Sequence, residues 1–85
     1  MNASLKIEGY DNYKKPRQNF ADAIAALTDN EFVERATHVI WLSAFANNNP
    51  RSDYHWQADA CLDEAGRRRK PELYKMAYDR AEGSV

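Results

Sequence analysis

A chain of 85 residues, 44% hydrophobic and 29% charged with few glycines and prolines, is a single globular domain and not a disordered segment. Its formal charge of −1 supplies no overall field for nucleic acid or an anionic membrane, so such a partner would need a local patch. The lone Cys61 excludes an internal disulfide, no run reaches the roughly 18–20 apolar residues of a membrane span, and no signal-peptide core follows the first lysine; the expectation is a cytoplasmic protein without membrane partners.

The first 15 residues mix the turn formers Gly9, Asp11 and Asn12 with Leu5, Ile7, Tyr10 and Tyr13. A single short strand there would have no partner, so the spacing predicts an extended arm, residues 1–15, lying on helices. Pro16 suits a first helical turn, and Phe20, Ile24 and Leu27 follow at i, i+4 and i+7, which predicts a helix from about Pro16 to Leu27. Thr28 and Glu31 have capping-box spacing and open the next helix. Over residues 31–47 the apolar residues Phe32, Val33, Ala36, Val39, Ile40, Leu42, Ala44 and Phe45 recur at helical spacing, widened by Trp41 and Ala46, with Glu34, Arg35, Thr37 and His38 on the polar side. A helix apolar over most of its circumference is a central one. Asn47, Asn48, Asn49 and Pro50 then stop it.

Ser52 or Asp53 caps a third helix with a buried stripe of Tyr54, Ala58, Cys61, Leu62 and Ala65, ended or weakened by Gly66 and the basic run after it. Pro71 and Glu72 start a fourth, with Leu73, Tyr74, Ala77, Tyr78 and Ala81 on one face and Gly83 at its end. The predicted fold is all-α: one domain, a small bundle of about four helices packed around helix 31–47, with an N-terminal arm.

Chemistry-bearing residues are sparse. His55, Asp59 and Asp63 stand at i, i+4 and i+8 and could be joined by His38, yet Asp63 and Glu64 each have an arginine four residues on, so a salt-bridged face is expected in place of a metal. Cys61 falls on the apolar stripe and reads as a small hydrophobe. No glycine-rich phosphate loop, Gly-x-Ser-x-Gly elbow or His-Glu-x-x-His pair occurs; no enzyme activity, cofactor or metal is expected. Arg67, Arg68, Arg69 and Lys70 are the strongest charge feature, and as phosphate-binding residues they carry the alternative reading of a nucleotide or nucleic-acid binder. The macrodipole also favours such residues at a helix C-terminus, which makes a solvated helix end the preferred reading. Tyr54 and Trp56 lie about 200° apart on a helix and cannot share a face. Either the N-terminal arm covers Trp56 through Tyr10 or Tyr13, or Trp56 anchors a partner-binding patch of Arg51, Asp53, Tyr54, His55, Trp56 and Asp59.

The run from Asn49 to Gln57, with Asp59-Ala60-Cys61, Asp63-Glu64 and Arg69-Lys70-Pro71-Glu72-Leu73-Tyr74, resembles small helical proteins of unassigned function encoded in bacteriophage and prophage genomes. The likeness covers about the C-terminal half and part of helix two. It implies an accessory protein in the host cytoplasm that binds and modulates or inhibits a host protein, a class that includes blockers of antiviral defence. It implies no catalytic residue, and leaves monomer and homo-oligomer both open.

Overall fold

The structure is a computed structural model describing residues 4–83. Four helices follow in order: α1 (Gln18–Ala25), α2 (Asp29–Phe45), α3 (Asp53–Arg67) and α4 (Glu72–Gly83). Among the described residues there is no strand, only an isolated antiparallel bridge between Tyr10 and Pro16. The all-α bundle stands; residues 1–3 of the expected arm lie outside the described residues.

Local chemistry accounts for each boundary. Thr28 and Glu31 form the capping box, the Thr28 hydroxyl accepting from the Glu31 N–H at 3.2 Å while the Thr28 N–H donates to the Glu31 carboxylate at 2.9 Å. Thr28 is the cap, as the capping-box spacing predicts, so α2 opens at Asp29, two residues before the apolar stretch 31–47. Because Thr28 is extended, α1 cannot continue into it and stops at Ala25, short of Leu27. Ser52 caps α3. Gly66 does not end that helix. The stop is two residues later, where the Lys70 N–H bonds the Ala65 carbonyl and the Arg69 N–H bonds the Gly66 carbonyl, a Schellman turn that places Arg69 at φ 60, where glycine is usual.

The arm is extended and docked as expected. The Gln18 side chain clamps it, accepting from the Ile7 N–H at 3.0 Å and donating to the Leu5 carbonyl at 2.6 Å, and Ser4 bonds Asp22. The arm then doubles back through a turn in which Asp11 Oδ1 accepts the N–H groups of Tyr13 and Lys15. That turn holds Lys14 at φ 64, and Gly9, at φ 95, supplies a conformation few other residues adopt.

Ile24, Phe32, Val33, Ala36, Val39, Ile40, Ala58, Ala60, Cys61, Ala65, Leu73, Ala77 and Ala81 form the core. Much of it is alanine, which lets helices approach closely but encloses little volume, and the Cα frame is only 15 Å through its thinnest dimension against 37 Å and 30 Å in the others. Such a slab cannot bury every large apolar side chain. Helix α2 packs against both α3 and α4, so it is central, but only through its first three turns: Leu42 is half-buried, Ala44 is exposed and Phe45 is 77% exposed. On α3 the expected Tyr54 and Leu62 are exposed, while Ala60 and Glu64 are buried in their place. On α4 the alternation holds for Leu73, Ala77 and Ala81, but Tyr78 is exposed.

Glu64 is the one buried charged residue among the described residues, and Arg67 and Arg68 are its partners. Glu64 receives Arg67 at 2.7 Å through both oxygens and Arg68 Nε at 2.7 Å. The pairing expected between Asp63 and Arg67 is therefore not made, because the buried carboxylate offers Arg67 the less hydrated acceptor. Arg68 also bonds Asp29 on α2 at 2.8 Å and the Ile24 and Leu27 carbonyls at the end of α1, and lies over the Phe32 ring at 4.8 Å. One guanidinium thus joins α1, α2 and α3 and supplies donors to carbonyls that a helix end leaves unpaired. Lys70, just before α4, bonds the same Asp29 at 2.6 Å. These contacts set the start of α4 beside the start of α2, so α2 and α4 run in the same direction and finish side by side.

Candidate functional site

Where α2 and α4 finish together, an open groove of about 550 Å³ lies between them. Ile40, Trp41, Ala44 and Phe45 come from α2, and Tyr78, Ala81 and Glu82 from α4. Spacing explains the grouping: Trp41 with Phe45, and Tyr78 with Glu82, are i, i+4 pairs, each stacked on one helix face. Trp41 and Phe45 are parallel, with ring centroids 5.4 Å apart and planes 17° from each other. Phe45 at 77% exposure is the outermost apolar surface of the pair, and Tyr78 is 45% exposed. A second hollow of about 330 Å³ adjoins it, sharing Ile40, Ala44 and Tyr78 and continuing past Ser43, His55, Ala58, Asp59 and Tyr74. Burial raises the Tyr74 hydroxyl above the usual tyrosine value, with Cys61, Asp59 and Tyr78 adding to the shift, so the phenol stays neutral. Glu82 is the one acid lining the larger groove.

The residues singled out around the start of α3 have other work in the structure. Asp53 accepts the Asn12 N–H at 3.1 Å and the Trp56 indole N–H at 2.8 Å, tying the arm to α3. Trp56 is half-buried, but Tyr10 and Tyr13, its expected cover, remain 67% and 82% exposed. Phe20 meets it edge-on at 5.5 Å and the Arg17 guanidinium sits 4.9 Å from its ring, while Lys6, Ile7 and Glu8 of the arm border the hollow beside it. Helix α1 and its entry therefore cover Trp56, with the arm at the edge. His55 Nε2 meets the Ala46 and Asn49 carbonyls at 3.2 and 2.9 Å, which assigns its proton, and Nδ1 then takes the Ser43 hydroxyl at 2.7 Å. It caps the end of α2. Arg51 is exposed, and its carbonyl accepts from the Asn12 side chain. Tyr54 is 38% exposed. Of the six, His55 and Asp59 border the smaller hollow next to the groove.

The basic run is mostly engaged in the fold. Arg67, Arg68 and Lys70 are ion-paired to Glu64 and Asp29, and Arg68 is largely buried, so a phosphate would have to displace carboxylates from three of the four cations. Arg69 is exposed. Burial pushes the Cys61 thiol up to about 12, leaving it protonated and unreactive at neutral pH. Among the described residues no group of three or more histidine, cysteine or acidic side chains is placed to hold a metal ion, so His38, His55, Asp59 and Asp63 do not converge. No helix among them is long and apolar enough to cross a membrane.

The groove residues Trp41, Phe45, Tyr78 and Glu82 escaped selection from the sequence, where the apolar ones read as core. Two aromatics at i, i+4 in the last turns of α2 were a usable signal, but their meeting with Tyr78 and Glu82 depends on the direction of α4. No protein-family model matches the chain, and neither a curated protein nor a solved structure shows significant similarity to it.

Proposed function

We propose that the chain is a non-enzymatic binding protein that acts by engaging a helical segment of another protein in the groove between the ends of α2 and α4. The observation that carries this reading is Phe45, left 77% exposed and stacked on Trp41 at the rim of an apolar groove in a domain with little core to spare. Exposed aromatics around a concave apolar surface are the usual anchors of a protein interface, and two helices flanking a groove accept the i, i+3, i+4 and i+7 side chains of a third. An open groove on two helices would leave a small molecule largely in water, whereas small-molecule sites enclose most of their ligand. The resemblance to phage-encoded proteins makes a host cytoplasmic protein the partner expected, modulated or blocked by occupation of its surface. The alternative, phosphate binding by Arg67 to Lys70, has less support because three of those cations are ion-paired.

A photo-crosslinking side chain at position 45, compared with one at the exposed Leu62 on α3, tests this in cells. The expected result is a discrete protein adduct from position 45 that is absent from position 62 and is competed away by unlabelled wild-type chain but not by Phe45→Ala. Equal adducts from both positions, or competition by Phe45→Ala, would place the working surface elsewhere.

A further inference from the structure

The groove has a sign as well as a shape. Because α2 and α4 run in the same direction, their carbonyl ends, each equivalent to about half a negative charge, finish at the same edge of the molecule. Helix α2 carries no basic residue in its own last turn, and among the described residues the one side chain meeting its outer carbonyls is His55. The one charged residue lining the groove is Glu82; farther down the two stripes, Glu34 of α2 is matched by Lys75 of α4, which is paired to Asp79. The basic residue in the last turn of α4, Arg80, lies about 200° around that helix from Glu82, on the far side from the groove. Trp41, Phe45 and Tyr78 add ring faces, whose negative quadrupole attracts cations. An apolar floor with a negative rim is thus built from two helix ends, one carboxylate and three rings.

Resting on the reading of the groove as a docking surface, we infer that its occupant is a cationic amphipathic helix, with its apolar stripe on Trp41, Phe45 and Tyr78 and a lysine or arginine beside Glu82. A second copy of this chain fits less well. Two copies joined through the groove about a two-fold axis would bring both Glu82 carboxylates and both α2 carbonyl ends to one patch, placing like charges together.

Two synthetic helical peptides with the same leucine and phenylalanine stripe, one with lysines and one with glutamates on the polar face, separate the possibilities. Each is titrated into the full ¹⁵N-labelled chain at low and at physiological salt, followed by amide and indole shifts. The lysine peptide should shift Ile40, Trp41, Ala44, Phe45, Tyr78 and Glu82 and bind at least tenfold tighter than the glutamate peptide. Glu82→Gln, exposed and near the end of α4, should leave the melt unchanged and reduce that preference several-fold, and added salt should reduce it further. Equal binding of the two peptides, or tighter binding of the glutamate peptide, overturns the cationic occupant while leaving a helix-docking groove intact. Shifts confined to other surfaces, or no binding by either peptide, overturn both readings. Sedimentation showing a dimer that Phe45→Ala dissolves would assign the groove to a second copy.

Discussion

Arg68→Met removes one side chain from the point where three helices meet, and its cost can be worked from its contacts. The guanidinium makes charge-assisted bonds to Glu64 and Asp29, two further bonds to the Ile24 and Leu27 carbonyls, and a face contact with Phe32. Methionine keeps much of the stem packing and none of the donors. Removing one partner of a buried ion pair costs about 3–5 kcal/mol, because the other charge remains in a poorly hydrated site. Arg67 still holds Glu64, which favours the lower end, while two carbonyls lose their donor, so about 3 kcal/mol is expected. For a domain of this size each kcal/mol moves the melting temperature by about 4–8 °C, giving a fall of about 12–24 °C out of a total stability near 5–15 kcal/mol. Arg68→Lys should recover little, since an ammonium cannot reproduce the planar fork. Arg69→Met, next in sequence but exposed, should stay within about 0.5 kcal/mol of wild type. Circular dichroism melts of the three variants check this. An Arg68→Met melt within about 4 °C of wild type, or an equal loss in Arg69→Met, would refute the clamp and return the basic run to the surface.

Trp56→Ala strips a half-buried ring from beneath Phe20 and Arg17 and should destabilise by about 2–3 kcal/mol, below the 3–5 of a fully buried tryptophan; an unchanged urea midpoint would show that α1 does not rest on it. Acid should unfold the protein through its clamped carboxylates. Hydrogen bonds from Lys70 and Arg68 hold Asp29 below the usual carboxylate range, and for Glu64 burial pushes the carboxyl up but the Arg67 and Arg68 bonds outweigh it and leave it lowered. Groups depressed in the folded state contribute stability that is complete above their unfolded values near pH 4 and disappears as pH falls through the folded ones, so urea midpoints should be level from about pH 5 to 7 and drop below about pH 4. A midpoint constant down to pH 3 contradicts the sign. Cys61 should react with a thiol reagent only at the rate of unfolding, since it is buried and protonated; labelling of the native protein within minutes at pH 8 would show otherwise.

Local signals carried most of the fold. The capping box, the Asn-Pro stop and the apolar spacing were legible because each is chemistry within a few residues. What escaped depends on which helices meet. Trp41, Ala44 and Phe45 read as core since hydropathy cannot tell that a slab this thin runs out of partners before α2 runs out of apolar residues. Glu64 read as a surface acid because its burial requires Arg67 and Arg68 to close over it and Asp29 to hold Arg68 from another helix. His55 and Trp56 stood out in the sequence, whereas the hydrogen bonds of His55 to the end of α2 and the ring contact of Trp56 with α1 depend on other helices and could not be read there.

The central claim is that the exposed end of α2 binds a partner and contributes little to stability, and the paired behaviour of Phe45→Ala tests it most directly. The side chain is 77% exposed, and its ring contact with Trp41 is worth about 0.5–1.5 kcal/mol, so the variant should stay folded and melt no more than about 12 °C below wild type. Its affinity for the lysine-faced helical peptide, measured by calorimetry on the same preparations, should fall by about 30-fold or more, the loss of roughly 2–4 kcal/mol expected of an interface anchor. An unfolded Phe45→Ala, or a folded one that binds the peptide as tightly as wild type, would contradict the account.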